Sequence, residues 1–114
     1  FGYLSERRAE RAAIGGYEAL MRGIVATLRP TTPILPRPVA DVLAMGVAER
    51  GALFGRTTHF VGFATLIGAP SLSLPLGPLL GHSMTGLLLE SAPGTDVELL
   101  ALGRRAEAAL RSGG

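Results

Sequence analysis

From Thr57 to Leu89 no side chain carries a charge when His is counted as neutral. Within that run lies Ile67-Gly-Ala-Pro-Ser-Leu-Ser-Leu-Pro-Leu-Gly77. The run is long enough for a bilayer-spanning helix, which needs about 20 apolar residues. Pro70, Pro75 and Pro78 argue against one. Each removes a helical hydrogen bond that lipid cannot replace. After Gly68 the pattern alternates, with Leu72, Leu74 and Leu76 on one side and Ser71, Ser73 and Pro75 on the other. A period of two marks a strand. Thr85–Glu90 reads as a second strand, its unbroken leucines suited to burial on both faces. Gly77–Ser83 would connect the two.

The flanking segments follow from local signals. Residues 3–28 read as a helix with Ser5 as N-cap and Tyr17, Leu20, Met21, Ile24 and Leu28 on one face. Glu6, Arg7, Glu10 and Arg11 lie at helical spacing on the other face. Gly15-Gly16 weakens this helix by about 1 kcal/mol per residue relative to Ala, and marks a kink or a close backbone approach. Pro30, Pro33, Pro36 and Pro38 hold residues 29–38 extended, and Ile24–Ala26 suggests a short strand end leading into that loop. A short helix is expected within 39–53, with Pro38 near its start and Asp41 in its first turn. Thr57 or Thr58 then caps a further helix with Phe60, Phe63, Ala64 and Ile67 inward, stopped by Gly68 in the left-handed conformation. Thr95-Asp-Val-Glu98 is a capping box, and Leu99, Leu102, Ala106 and Leu110 form the apolar face of the last helix.

Composition narrows the function. With 114 residues the chain is about one domain, and with no Trp and few aromatics its core must be aliphatic. Every basic residue is Arg, spread from Arg7 to Arg111, whereas a nucleic-acid surface would want a dense stripe with aromatics. The absence of Cys removes disulfides and thiolate metal sites. His59 and His82 have no third ligand at metal spacing, so no metal or other cofactor is expected. His59 reads as a hydrogen-bonded structural residue beside a helix cap, and His82 as a loop residue. Ser71, Ser73, Ser83 and Ser91 lack a base and sit in no nucleophile elbow. The strand serines are expected to bond locally, and Glu90 with Asp96 makes no acid/base pair, since Asp96 serves the helix start. No catalytic set is complete.

The order Arg29-Pro-Thr-Thr-Pro33, Thr57-Thr-His-Phe60, Gly68-Ala-Pro70 and Leu74-Pro-Leu-Gly77 resembles the C-terminal part of amidase signature enzymes. That family shows a helix leading into a Pro-Thr-x-Pro segment, then a Thr-x-x-Phe-Asn-x-x-Gly-x-Pro-like helix and a strand ending in Pro-x-Gly. A Gly-containing strand and a helix with paired leucines close the chain; Gly86 and Leu99-Leu100 fill those positions, with Asp96 ahead of them. The likeness spans nearly all 114 residues. Thr65 stands where the family has Asn, and Met84 and Leu88 replace the Pro and Gln that flank the strand glycine.

The resemblance implies an α/β fold: the C-terminal portion of a mixed sheet sandwiched by helices, in the order helix, extended segment, helix, helix, strand, strand, helix. Residues 1–114 would form one partial domain, with a helix at 1–28, a Pro-rich loop at 29–38 and a core at 39–114. Family enzymes cut amides with a Ser–cis-Ser–Lys triad upstream of the region matched here, and this chain has no Lys and no Gly-Gly-Ser-Ser stretch. The chain opens on Phe1, without an initiator Met or an apolar signal core. The expectation is thus a non-catalytic C-terminal fragment of a cytoplasmic amidase. Thr31, Thr32, Thr58 and His59 would form part of the substrate-pocket wall. Its partners would be the rest of the amidase domain and a small amide substrate, with no nucleic acid and no membrane; a homodimer is left open. The alternatives are a non-catalytic interaction module and a subunit of a transamidating complex.

Overall fold

The computed structural model describes residues 2–76 and 85–112. It is a mixed α/β structure built on a small antiparallel sheet. The elements are α1 (Gly2–Leu20), β1 (Thr27–Pro30), α2 (Val39–Ala44), α3 (Val47–Thr57), α4 (Gly62–Ile67), β2 (Ser71–Pro75), β3 (Gly86–Glu90) and α5 (Asp96–Ser112). The strand order is β1-β3-β2, with β3 antiparallel to both neighbours. The proposed connection Gly77–Ser83, together with His82 and Met84, lies outside the described residues.

The central position of β3 explains its leucines. Leu88 and Leu89 are buried, and Leu87 and Leu89 face Leu74 and Leu72 across the β2 register. Leu74, Leu89 and Leu99 form the core, and Leu72, Leu87, Leu102, Ala106 and Leu110 pack around it. The expected apolar face of α5 is therefore the one that meets the sheet. Gly103 makes that contact close: a Cβ there would run into the end of the Leu72 side chain.

The sheet's other face is polar and carries Thr27, Arg29, Ser71, Ser73 and Glu90 around Leu88. Helices α1 and α4 pack together on this side, with the Tyr17 and Phe63 rings edge to face at 5.6 Å. Ala64 and Ile67 of α4 are buried, and Gly68 ends the helix at φ 68°, ψ 26° as its position before Pro70 requires. Two helical layers thus enclose the sheet. Within the described residues the strands are all antiparallel rather than mixed.

Several local expectations fail for identifiable reasons. The first helix stops at Leu20 rather than Leu28: Gly23 turns the chain at φ 77° and Thr27–Pro30 becomes β1. Leu20, Ile24 and Leu28 are exposed, and only Tyr17 and Met21 of that face turn inward. Ser5 lies inside the helix and its hydroxyl donates to Gly2 O at 2.9 Å. Helix α1 runs through Gly15-Gly16, and nothing lies within 4 Å of where their Cβ atoms would be. Thr57 and Thr58 close α3 instead of opening a helix, because their hydroxyls donate back to Leu53 O at 2.8 Å and Phe54 O at 2.9 Å. Thr95 precedes α5 as expected, but its hydroxyl bonds Ala92 O at 2.6 Å and meets Ser91 Oγ rather than an amide of the first turn.

Among the described residues no helix is long and apolar enough to cross a membrane.

Candidate functional site

The most constrained polar cluster lies on the sheet's helix-covered polar face. Glu90 ends β3 with 0 % of its surface exposed. Arg29 Nη2 donates to its Oε2 at 2.8 Å, and the Tyr17 hydroxyl donates to its Oε1 at 3.0 Å. Each carboxylate oxygen therefore holds one strong donor. The register places Thr27 opposite Glu90, and the Thr27 hydroxyl reaches the Glu90 carbonyl at 3.4 Å. Burying a carboxylate is costly unless it is paired and hydrogen-bonded, and this one is both.

Each partner is held in turn. Arg29 comes from β1, its guanidinium carbon 5.9 Å from the Phe60 ring centroid and so in range of a cation–π contact. Its Nε is buried without a partner among the described residues. Burial, followed by the hydrogen bond to Glu90, pushes the Tyr17 phenol up from 10.0 to about 12, which keeps it a donor at physiological pH. With both oxygens engaged, Glu90 is not free to act as a general base. The cluster ties α1, β1 and β3 together.

Phe60 continues this line toward the surface, where His59 packs against it edge to face at 5.0 Å. His59 is exposed, and its ring makes no hydrogen bond among the described residues, contrary to the structural role its neighbours suggested. It lines a groove of about 430 Å³ with Pro33, Ile34, Ala52, Gly55 and Arg56. Thr32 lines a second groove of about 270 Å³ with Ile34, Leu35, Pro36, Arg37, Leu53 and Thr57. Both grooves are lined by the Pro-locked loop and by α3.

The four residues expected at a pocket wall thus separate. Thr32 and His59 face the two grooves. Thr58 is engaged by Phe54 O at the end of α3. Thr31 belongs to the sheet: its N–H donates to Gly86 O at 2.8 Å and its hydroxyl bonds Ser73. Ser73 accordingly finds its partner far along the chain rather than locally. Gly86 sits beneath that pair, where a Cβ would lie 2.5 Å from Ser73 Oγ and 2.7 Å from Thr31 Oγ1.

No family model, curated protein or solved structure matches this chain.

In the sequence Tyr17 belongs to a helix face, Arg29 heads the proline loop and Glu90 is paired only with Asp96 for comparison, so nothing there links the three. A usable signal was present: Glu90 is the first charge after the long neutral run and closes a strand of leucines. A charge in that place demands a buried partner. Among the described residues, no group of three His, Asp or Glu side chains gathers to hold a metal ion.

Proposed function

We propose that this chain is the C-terminal segment of an amidase-like domain that hydrolyses a carboxylic amide, and that it supplies sheet and pocket wall rather than the reacting groups. The motif order from Arg29 to Gly77 suggests the family. One structural observation supports the reading most: α2 and α3 bury no residue, while Val39, Leu43, Val47 and Phe54 stand 68 to 90 % exposed along them and Leu35 is 58 % exposed on the proline loop that precedes them. Apolar faces of this extent mark a surface that another body covers. The shape agrees, since the radius of gyration is 17.0 Å with extents of 44 × 43 × 17 Å. A compact domain of this length would have a radius of gyration of about 13 Å. In this reading the upstream part of the domain packs on α2, α3 and the proline loop, and Thr32 and His59 border the substrate cleft.

Catalysis would come from a Lys and a pair of serines on that upstream part, with a Ser-rich loop stabilising the oxyanion. The test is the coding sequence ahead of Phe1. A Lys followed by a Gly-Ser-Ser stretch, some hundreds of residues upstream in the same frame, is the expected finding. A frame that starts at Phe1 overturns the proposal.

A further inference from the structure

The groove beside His59 pairs an apolar lining with an unopposed positive charge. Its walls are Pro33 and Ile34 of the proline loop and Ala52 and Gly55 of α3. Its volume of about 430 Å³ falls in the range of small-molecule pockets, ~300–1,000 Å³. Arg56 and His59 supply its only polar side chains. One turn holds them together, since the His59 N–H donates to Arg56 O at 3.5 Å. The His59 ring is braced by Phe60, which itself meets Arg29. No acidic residue lines the groove, and Arg56 is the only charged side chain between Arg50 and Glu90 when His is counted as neutral. The Arg56 guanidinium has no ion-pair partner among the described residues, whereas Arg29 is bound to Glu90 and Arg50 to Val42 O and Leu43 O.

A basic residue in the last turn of a helix is favoured by the helix dipole, and for Arg56 alone that would suffice. The second groove argues for more. It shares Ile34, and it too has a mostly apolar lining, a single arginine and no acid. That arginine, Arg37, stands just ahead of α2, at the helix end where the dipole disfavours a cation. We propose that the groove beside His59 binds the carboxylate end of an apolar organic acid. The planar guanidinium of Arg56 takes the carboxylate in its fork, and an imidazole N–H of His59 donates to it. The apolar chain lies along Ile34, Ala52 and Gly55. An amine there would meet Arg56 with no acid to offset it, and a neutral amide would leave the guanidinium charge unpaired. The inference rests on the amidase-like reading for one point only, that His59 borders the substrate cleft. Joined to that reading it names the substrate class: an amide that carries a carboxylate at the far end of an apolar stretch.

The test is a titration of the whole chain with hexanoate, followed by NMR at the His59 ring and the Arg56 Nε–H. Both signals should shift along one saturation curve. Hexanamide and hexylamine keep the apolar chain without the negative charge, and should bind about tenfold more weakly, as for a lost hydrogen bond to a charged group. Acetate, which lacks the chain, should bind more weakly too. Arg56→Gln should weaken hexanoate by a similar factor, whereas Arg104→Gln, which removes one charge from the exposed side of α5, should not. Ala52→Phe fills the groove, should abolish the shifts, and decides the matter if Arg56→Gln disturbs α3. Hexanamide or acetate binding as well as hexanoate overturns the proposal. So do equal losses in Arg56→Gln and Arg104→Gln, hexanoate binding that survives Ala52→Phe, or the absence of any saturable shift. None of these readouts involves amide hydrolysis, so the site can fail while the amidase-like reading stands. Conversely, an upstream sequence without the Lys and serines would remove the substrate assignment and leave the carboxylate site in place.

Discussion

Arg29 and Glu90 meet at 2.8 Å across the β1–β3 pair, with the carboxylate fully buried and the guanidinium side chain 32 % exposed. Sixty-one positions separate them in sequence. Removing one member of a buried pair strands the other, which costs more than the pair contributes. Glu90→Gln should lower the unfolding free energy by about 3 kcal/mol, toward the low end for buried pairs because Arg29 keeps some water. Urea denaturation at neutral pH measures it. Arg29→Lys should not restore full stability, because a point charge cannot keep the flat contact with Phe60.

Tyr17→Phe removes one donor to the same carboxylate and should cost about 1.5 kcal/mol, as for hydrogen bonds to charged groups. Its pH dependence is the sharper check. The folded phenol titrates at about 12 against 10.0 when unfolded. Between those values the unfolded chain loses the proton first, so stability falls as pH rises through that window. Below pH 10 this contribution is fully present. The chain has no Lys or Cys, and Tyr3 is the only other phenol, so the window is uncrowded. Denaturation midpoints measured from pH 9 to 12 should decline less steeply in Tyr17→Phe than in the parent protein.

Gly86 lies under the paired hydroxyls of Thr31, just past β1, and Ser73 of β2. A methyl group there meets Ser73 Oγ at 2.5 Å, Thr31 Oγ1 at 2.7 Å and Leu74 O at 3.3 Å. Gly86→Ala should destabilise by roughly 1–3 kcal/mol, the range for overpacking. Ser73→Ala in the same chain removes the nearest atom and should recover part of the loss. A double-mutant cycle in urea reads the coupling.

Gly68 stops α4 at φ 68° with open space around its Cβ position. The cost of replacing it is therefore conformational rather than steric. Gly68→Ala should lose about 1–2 kcal/mol, the penalty of a left-handed conformation for an L-residue. Gly15→Ala, in the exposed face of α1, should instead gain up to about 1 kcal/mol. Thermal melts of the two variants should move in opposite directions.

Where local chemistry alone decides the backbone, the sequence was readable. The alternation at Ser71–Leu76, the leucines of β3, the stop at Gly68 and the inner face of α5 all follow from neighbours in the chain. The end of α1 was not readable, because Ile24 and Leu28 keep helical spacing beyond Gly23 although neither is buried. Thr57 and Thr58 suit either end of a helix, and only the hydrogen bonds to Leu53 and Phe54 distinguish them. The Tyr17–Glu90–Arg29 cluster was least readable. Its members lie 61 and 73 positions apart, and no periodicity links them. Of the pocket-wall residues, Thr31 was the hardest to place, because its hydroxyl is taken up by Ser73 only once β1 and β2 flank β3.

In the proposed function this chain completes an amidase domain without supplying its reacting groups. Complementation tests it most directly: amide hydrolysis is assayed with the upstream polypeptide alone, with this chain alone, and with the two refolded together. Hydrolysis is expected only in the mixture, and should be lost again when the upstream Lys is replaced by Ala. Hydrolysis by this chain alone, or full activity of the upstream part without it, would rule that role out.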